Sequence, residues 1–426
     1  MMDPAVYRDE THAAAETVAR RSRGKLVALL AARWGDIETA EDALSEAFAT
    51  ALATWPRAGC PANPEAWLLT VARRKLIDLH RGQREDAATD ELENLAATLS
   101  AGTENKLPDR RLGLLFACAH PAIDPAVRAP LMMQAVLGLE AAQIASAFLV
   151  SPAAMAQRLV RAKTKIREAG IPFRIPARDE LPERLEAVLD AVYASFSEGW
   201  LDAAGTDVAR RELAGEAIFL ARLLASVMPG EPEVLGLLAL MLYAEARRPA
   251  RRGREGEFVP LAGQDTALWN AAMIKEAEAA LHTASRAGII GRYQLEAAIQ
   301  SAHVERRRSG RVDRPAILAL YHALLALTAS PVGSINRAVA LAEVEGPAAG
   351  LAALEALNQD ARLRSYQPYW AARAELLARA GALEEARHAY EVAAGMERDP
   401  AVRQFLERRR AMLEGEKPAD AGAGSA

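Results

Sequence analysis

Residues 40–81 read AEDALSEAFATALATWPRAGCPANPEAWLLTVARRKLIDLHR, and the fold is decided by two periodicities within them. Ala40, Leu44, Ala47, Phe48, Ala51 and Leu52 recur every three or four residues, which is the apolar stripe of one amphipathic helix. Glu38, Asp42 and Glu46 form an acidic row beside that stripe. Trp55 to Ala62, with two prolines and a glycine, predicts a rigid turn-rich loop. Asn63 is then suited to cap a helix, Pro64 to occupy its first position and Glu65 to sit in its first turn. In the second helix Leu68, Val71, Ala72, Leu76 and Leu79 predict a buried face, leaving Arg73, Arg74, Lys75 and Arg81 to project elsewhere. The expected result is a basic helix beside an acidic one.

The rest of the chain extends this helical pattern. Of 426 residues, 51% are hydrophobic but only 5% aromatic, and alanine and leucine dominate over β-branched runs, so an all-α fold is expected. The formal charge of -4 places any nucleic-acid site in a local patch rather than in bulk basicity. Cys60 and Cys118 form no ligand-spaced pair, which points to a reducing compartment, the cytoplasm, and to no structural metal. No apolar run reaches the roughly 18 residues a membrane span needs, and no leader-like pattern opens the chain, so neither membrane nor secretion is expected.

A second module follows a polar stretch. Ala126 to Leu137 is apolar and periodic, Gly138 breaks it, Ala141 to Phe148 is brief, and Ser151-Pro152 starts a helix running to about Ala169. That length pattern predicts a helix-turn-helix. Met155, Leu159, Ala162 and Ile166 share its core face, while Gln157, Arg158, Arg161, Lys163, Lys165 and Arg167 supply polar and cationic groups for base edges and phosphates. Further on, paired helices over 316–328, 334–345, 348–357, 368–380 and 383–395, with Trp370, Gly381, Ala386, Tyr390 and Ala393 spaced as in a tetratricopeptide unit, suit stacked helical hairpins.

These residues resemble a known family. AEDALSEAFATALATWP, NPEAWLLTVARRKLIDLHR and SPAAMAQRLVRAKTKIR, with FACAHP at 116–121, SEGW at 197–200 and SPVGSINRAVA further on, are similar to sigma-70-type RNA polymerase sigma factors of the extracytoplasmic-function (ECF) class that carry a C-terminal tetratricopeptide-like extension. The resemblance implies region 2 over 10–85, a linker over 86–106, a region 4 helix-turn-helix over 107–174, a linker over 175–182, the helical extension over 183–412 and a tail over 413–426. It implies core RNA polymerase binding by Glu38, Asp42 and Glu46, and promoter −10 recognition and melting by Arg57, Asn63, Trp67, Arg73, Arg74 and Lys75. Recognition of the −35 element falls to Gln157, Arg158, Arg161, Lys163 and Lys165. Core polymerase and promoter DNA are the expected partners, with a protein or peptide regulator on the extension; no enzymatic activity and no cofactor are expected. The competing reading is a stand-alone helix-turn-helix regulator with a helical sensing domain, which has no need of the acidic row or the Asn63-Pro64 helix.

Three other features read as ordinary structure. Cys118 and His120 lack further ligands and are expected to be a buried thiol and a polar contact. Ser197-Glu198-Gly199 lacks the context of a nucleophile elbow. The run RRPARRGR at 247–254 predicts a solvated loop.

Overall fold

The computed structural model describes residues 22–79, 110–148, 150–174, 176–177, 180–201 and 208–415. The expected linker over 86–106, most of the tail over 413–426, and Arg81 lie outside them. The chain is all-α, and among the described residues the only β pairing is an isolated bridge between Arg252 and Phe258. No described helix is long and apolar enough to cross a membrane.

The chain divides into two units, one of residues 1–199 with 209–223, the other of 200–208 with 224–426. The first unit holds α1 (22–34), α2 (Ile37–Ala58), α3 (Pro64–Leu79), α4 (Arg110–Cys118), α5 (Pro125–Leu137), α6 (Ala141–Ala147), α7 (Pro152–Glu168), most of α8 (Leu181–Leu201) and residues 209–223 of α9 (Val208–Val227). The start of the expected extension therefore belongs to the first unit. Arg111 of α4 ties it in, pairing with Glu216 and lying 4.7 Å over the Phe219 ring.

Local chemistry sets the helix ends in the first unit. The Asp36 side chain accepts from Glu38 N–H to cap α2, and Asn63 Oδ1 accepts from Ala66 N–H at 3.0 Å to cap α3. Ser151 caps α7 by accepting from Ala154 N–H, with Pro152 at the first helical position. Gly138 closes α5 in the left-handed conformation, φ 69°. The expected loop begins later than its prolines suggested. Pro56 lies inside the last turn of α2, which continues to Ala58 and stops at Gly59 with φ 88°.

Trp55, Leu44, Leu68, Leu69 and Leu76 are fully buried between α2 and α3, each contributing about 1.5–3 kcal/mol. The stripe of α2 is rotated from the one expected: Ala40, Ala43, Leu44, Ala47, Ala51 and Trp55 are buried, whereas Leu52 is 44% exposed and Phe48 half-buried. In α3 Leu68, Ala72 and Leu76 are buried as expected, whereas Leu79 is 70% exposed and Val71 half-buried.

In the second unit, α10 (Pro232–Ala246) is buried nearly all round, packed by α11 (Ala271–Ser285) and α12 (Arg292–Val304). Gly236 lets the α12 backbone approach at Gln294, where any Cβ would clash. The Glu233 carboxylate accepts from Tyr293 and Gln294 N–H at 3.0 and 3.2 Å, satisfying the start of α12. Beyond them α13 (Arg314–Leu327), α14 (Pro331–Glu345), α15 (Pro347–Glu355), α16 (Gln367–Arg379), α17 (Leu383–Met396) and α18 (Pro400–Gly415) each pack against the next. The bounds of α13 to α17 lie within a few residues of the helices read from sequence, and α18 is additional to them.

Candidate functional site

The acidic row and the basic helix form one hairpin. Asp42 and Glu46 are exposed on α2, Glu38 is half-exposed, and Leu52 adds an uncovered apolar side chain on that side of the helix. Lys75 of α3 pairs with Glu46 at 2.9 Å, and this carboxylate raises the Lys75 amine above its ordinary range. Both groups are about half exposed, so the pair is easily exchanged for other partners. Arg57 is exposed at the end of α2, while Trp67, at the start of α3, is half-buried with its ring edge-to-face on Trp55, centroids 5.5 Å apart. The inter-helix turn thus gathers Arg57, Asn63 and Trp67 at one end of the hairpin. Arg73, half-buried, and Arg74 and Lys75, exposed, lie roughly 10 Å further along α3 at 1.5 Å per residue. Asn63 Oδ1 is engaged in capping.

On α7, Gln157, Arg158, Arg161 and Lys165 are all exposed, with Val160 53% exposed among them. Arg161 Nε reaches back to the Gln157 carbonyl at 3.4 Å. Lys163 departs from expectation. It is buried, 8% exposed, and its ammonium pairs with Glu41 of α2, which is buried with it. The reason lies in the helical spacing: Lys163 is four residues from Leu159 and three from Ile166, so it falls within the core stripe. Arg167 follows one turn later, 3.5 Å from Asp36 and 3.4 Å from Glu38. Asp36 and Glu41 were missing from the sequence reading, which followed only the outer row of α2; the position of Lys163 in the α7 stripe was the signal that a carboxylate had to face it.

Backbone packing reinforces this joint. Gly24 of α1 lies so close to the Val136 carbonyl of α5 that a Cβ there would overlap it, and Gly138 meets the aliphatic part of Arg23. Cys118 is fully buried nearby: burial, then the Glu41 charge, pushes its thiol far up, with Lys163 opposing, so it stays protonated and inert. His120 is pulled below its usual range, first by burial and then by Arg184, and its Nδ1 accepts from Ala122 N–H. Among the described residues no group of three or more His, Cys, Asp or Glu side chains is placed to hold a metal ion.

Sigma-70 region 2 matches residues 18–85, which contain the acidic row, the turn and the basic helix. A protein of Rhizobium meliloti (strain 1021), described as uncharacterized, is 41% identical over 365 residues, covering 84% of this chain and 85% of that protein. The region 2 match supports a sigma-70 family factor. A family of unknown function (DUF6596) matches residues 184–285, and no solved structure matches. Region 2 implies association of the chain with core RNA polymerase and supports a part in transcription initiation. In the structure Glu38 of the acidic row, with Asp36 and Glu41 beside it, is met by cations of α7, while Asp42 is exposed and Glu46 pairs with the exposed Lys75.

Proposed function

We propose that this chain acts as a sigma factor of the ECF class, docking on core RNA polymerase through Glu38, Asp42, Glu46 and the exposed Leu52. The observation that carries this reading is the hairpin of opposite charge within the region 2 match. One helix offers carboxylates to a basic partner, and the other offers guanidinium and ammonium groups to a polyanion. Arg57, Trp67, Arg73, Arg74 and Lys75 engage the −10 element. Melting requires unstacked bases to be held at a few kcal/mol each, and an aromatic platform beside cations supplies that. The helix pair α6–α7 is the helix-turn-helix for the −35 element, with Gln157, Arg158 and Arg161 at base edges and Lys165 on phosphate. Lys163 holds α7 to α2 instead. Docking on the polymerase competes with Arg167 for Glu38, so the joint is a brake on core binding. The tetratricopeptide-like hairpins of the second unit take a regulatory input, and the protein acts in the cytoplasm without catalysing a reaction.

The test uses the whole chain, because a cut after Arg174 would remove 183–199 and 209–223 from the first unit. Full-length protein mixed with core RNA polymerase is expected to co-elute on gel filtration. Asp42→Lys, at an exposed position, is expected to weaken that association at least about tenfold without changing helix content. Specific duplex binding by the free protein, with no core association, would favour the stand-alone regulator instead.

A further inference from the structure

The run at 247–254 is not the solvated loop its charge suggested. Arg247 closes α10 and is buried, 6% exposed; Arg248 to Arg251 form a one-turn helix; Arg252 pairs with Asp399. Among the described residues three guanidiniums of this region hydrogen-bond only to neutral groups. Arg247 Nη2 donates to Gln300 Oε1, and its Nη1 is buried with no hydrogen-bond partner among the described residues. Arg251 Nη1 donates to the Trp200 carbonyl at 2.8 Å, with its guanidinium 3.6 Å over the Trp200 ring. Arg306 donates to the Ala262 and Gln264 carbonyls at 2.7 and 2.9 Å and lies 5.4 Å over the Trp269 ring.

Among the described residues the neighbouring carboxylates are ion-paired with other arginines. Glu245 pairs with Arg248, Asp399 with Arg252, and Glu296 with Arg292. Arg251 and Arg306 both act on Arg247, which burial already draws down to about 10, so it remains charged at neutral pH, while Arg251 is lowered by burial and then by Arg248 and Arg252, with Asp399 and Glu245 opposing from a distance. His303 completes the group, pushed down to about 4 by burial and then by Arg247 and Arg306. A buried cation is ordinarily paired, because desolvation without a counter-charge costs several kcal/mol. Arg251 and Arg306 are half-buried, so the cluster extends from Arg247 towards the surface.

We propose that Arg247, Arg251 and Arg306 form a binding site for a small tetrahedral oxyanion, a phosphoryl group, with the free Arg247 Nη1 as its innermost donor. The planar guanidinium fork matches such an oxyanion, and charge-assisted bonds of this kind are about twice as strong as neutral ones. Gln300 fixes the Arg247 fork, and Trp200 and Trp269 hold the other two arginines. The site lies wholly in the second unit and stands independently of the promoter reading.

The probes are sodium sulfate, a tetrahedral dianion that does not titrate near neutrality, and inorganic phosphate, each against sodium chloride and sodium acetate at matched ionic strength. Calorimetric titration of the full-length chain is expected to show saturable binding of sulfate and phosphate but not of acetate. Arg247→Met, which removes an uncompensated charge and so is expected to fold, should weaken both by about 10- to 100-fold, as loss of a charged hydrogen bond does. Arg306→Gln should weaken them as well, and Arg254→Gln, an exposed neighbour, should not. Binding of acetate equal to that of phosphate would reassign the site to carboxylates and overturn the phosphoryl assignment. Absence of saturable binding, or equal binding by Arg247→Met, would show that the orphan donor is satisfied by solvent and overturn the site itself.

Discussion

Lys163 in the first unit and Arg247 in the second are both buried cations near the end of an otherwise apolar helical stripe, yet they have opposite surroundings. Lys163 faces Glu41, and the two side chains are only 9% and 13% exposed; Arg247 faces an amide and two further arginines. The first arrangement is complete within the chain and serves as a joint. The second is incomplete, and its missing charge has to come from outside. A buried cation is therefore informative through its partner: a carboxylate indicates architecture, and its absence indicates a ligand.

The comparison can be broken most directly by removing each charge. Lys163→Met leaves Glu41 buried and unpaired and should cost about 3–5 kcal/mol, seen as a lower calorimetric Tm, with most of the loss recovered in the double variant Lys163→Met/Glu41→Met. Arg247→Met should do the reverse in sulfate-free buffer, leaving Tm unchanged or raised. Equal destabilisation by both would erase the distinction.

A smaller effect sharpens it through pH. The unfolded chain takes up a proton on His303 near 6.5, whereas the folded chain, with burial, Arg247 and Arg306 opposing, refuses it until about 4. The contribution to stability is whole above pH 6.5 and is lost as pH falls from 6.5 towards 4. His303→Gln should flatten Tm against pH across that window. Sulfate, by neutralising the arginines, should raise the folded value and narrow the window in the parent protein but not in Arg247→Met. Smallest of all, Lys75→Gln removes an exposed pair with Glu46 and should leave Tm unchanged, while lowering the salt dependence of DNA binding by the polymerase complex by about one phosphate contact.

What was legible in the sequence was local chemistry. Asn63, Ser151, Pro152 and Gly138 act on the backbone within a few residues, so their capping and breaking roles could be read directly, and α13 to α17 followed from the paired spacing of residues 316–395, whereas α10, α11, α12 and α18 were not read. What was not legible depended on distant partners. Lys163 reads as surface charge until α2 is placed against α7, and Arg247 reads as part of a basic loop until α12 supplies Gln300. Pro56 misled for a different reason: proline is excluded from helix interiors by the carbonyl one turn back, and in the last turn that constraint was accommodated. Leu52 was assigned to the core by its spacing, yet α3 covers the other side of α2.

The contact at Gly24 has a mechanical consequence. Charge pairs such as Arg167 with Glu38 can be dissolved by salt, but the approach of α1 to the Val136 carbonyl depends on a side chain that is not there. A methyl group at position 24 is a doorstop: it props the two helices apart while leaving every ionisable group in place. Alanine, serine and valine at this one position form a set of shims of increasing thickness, by which the gap between α1 and α5 could be set atom by atom and its effect read separately from electrostatics.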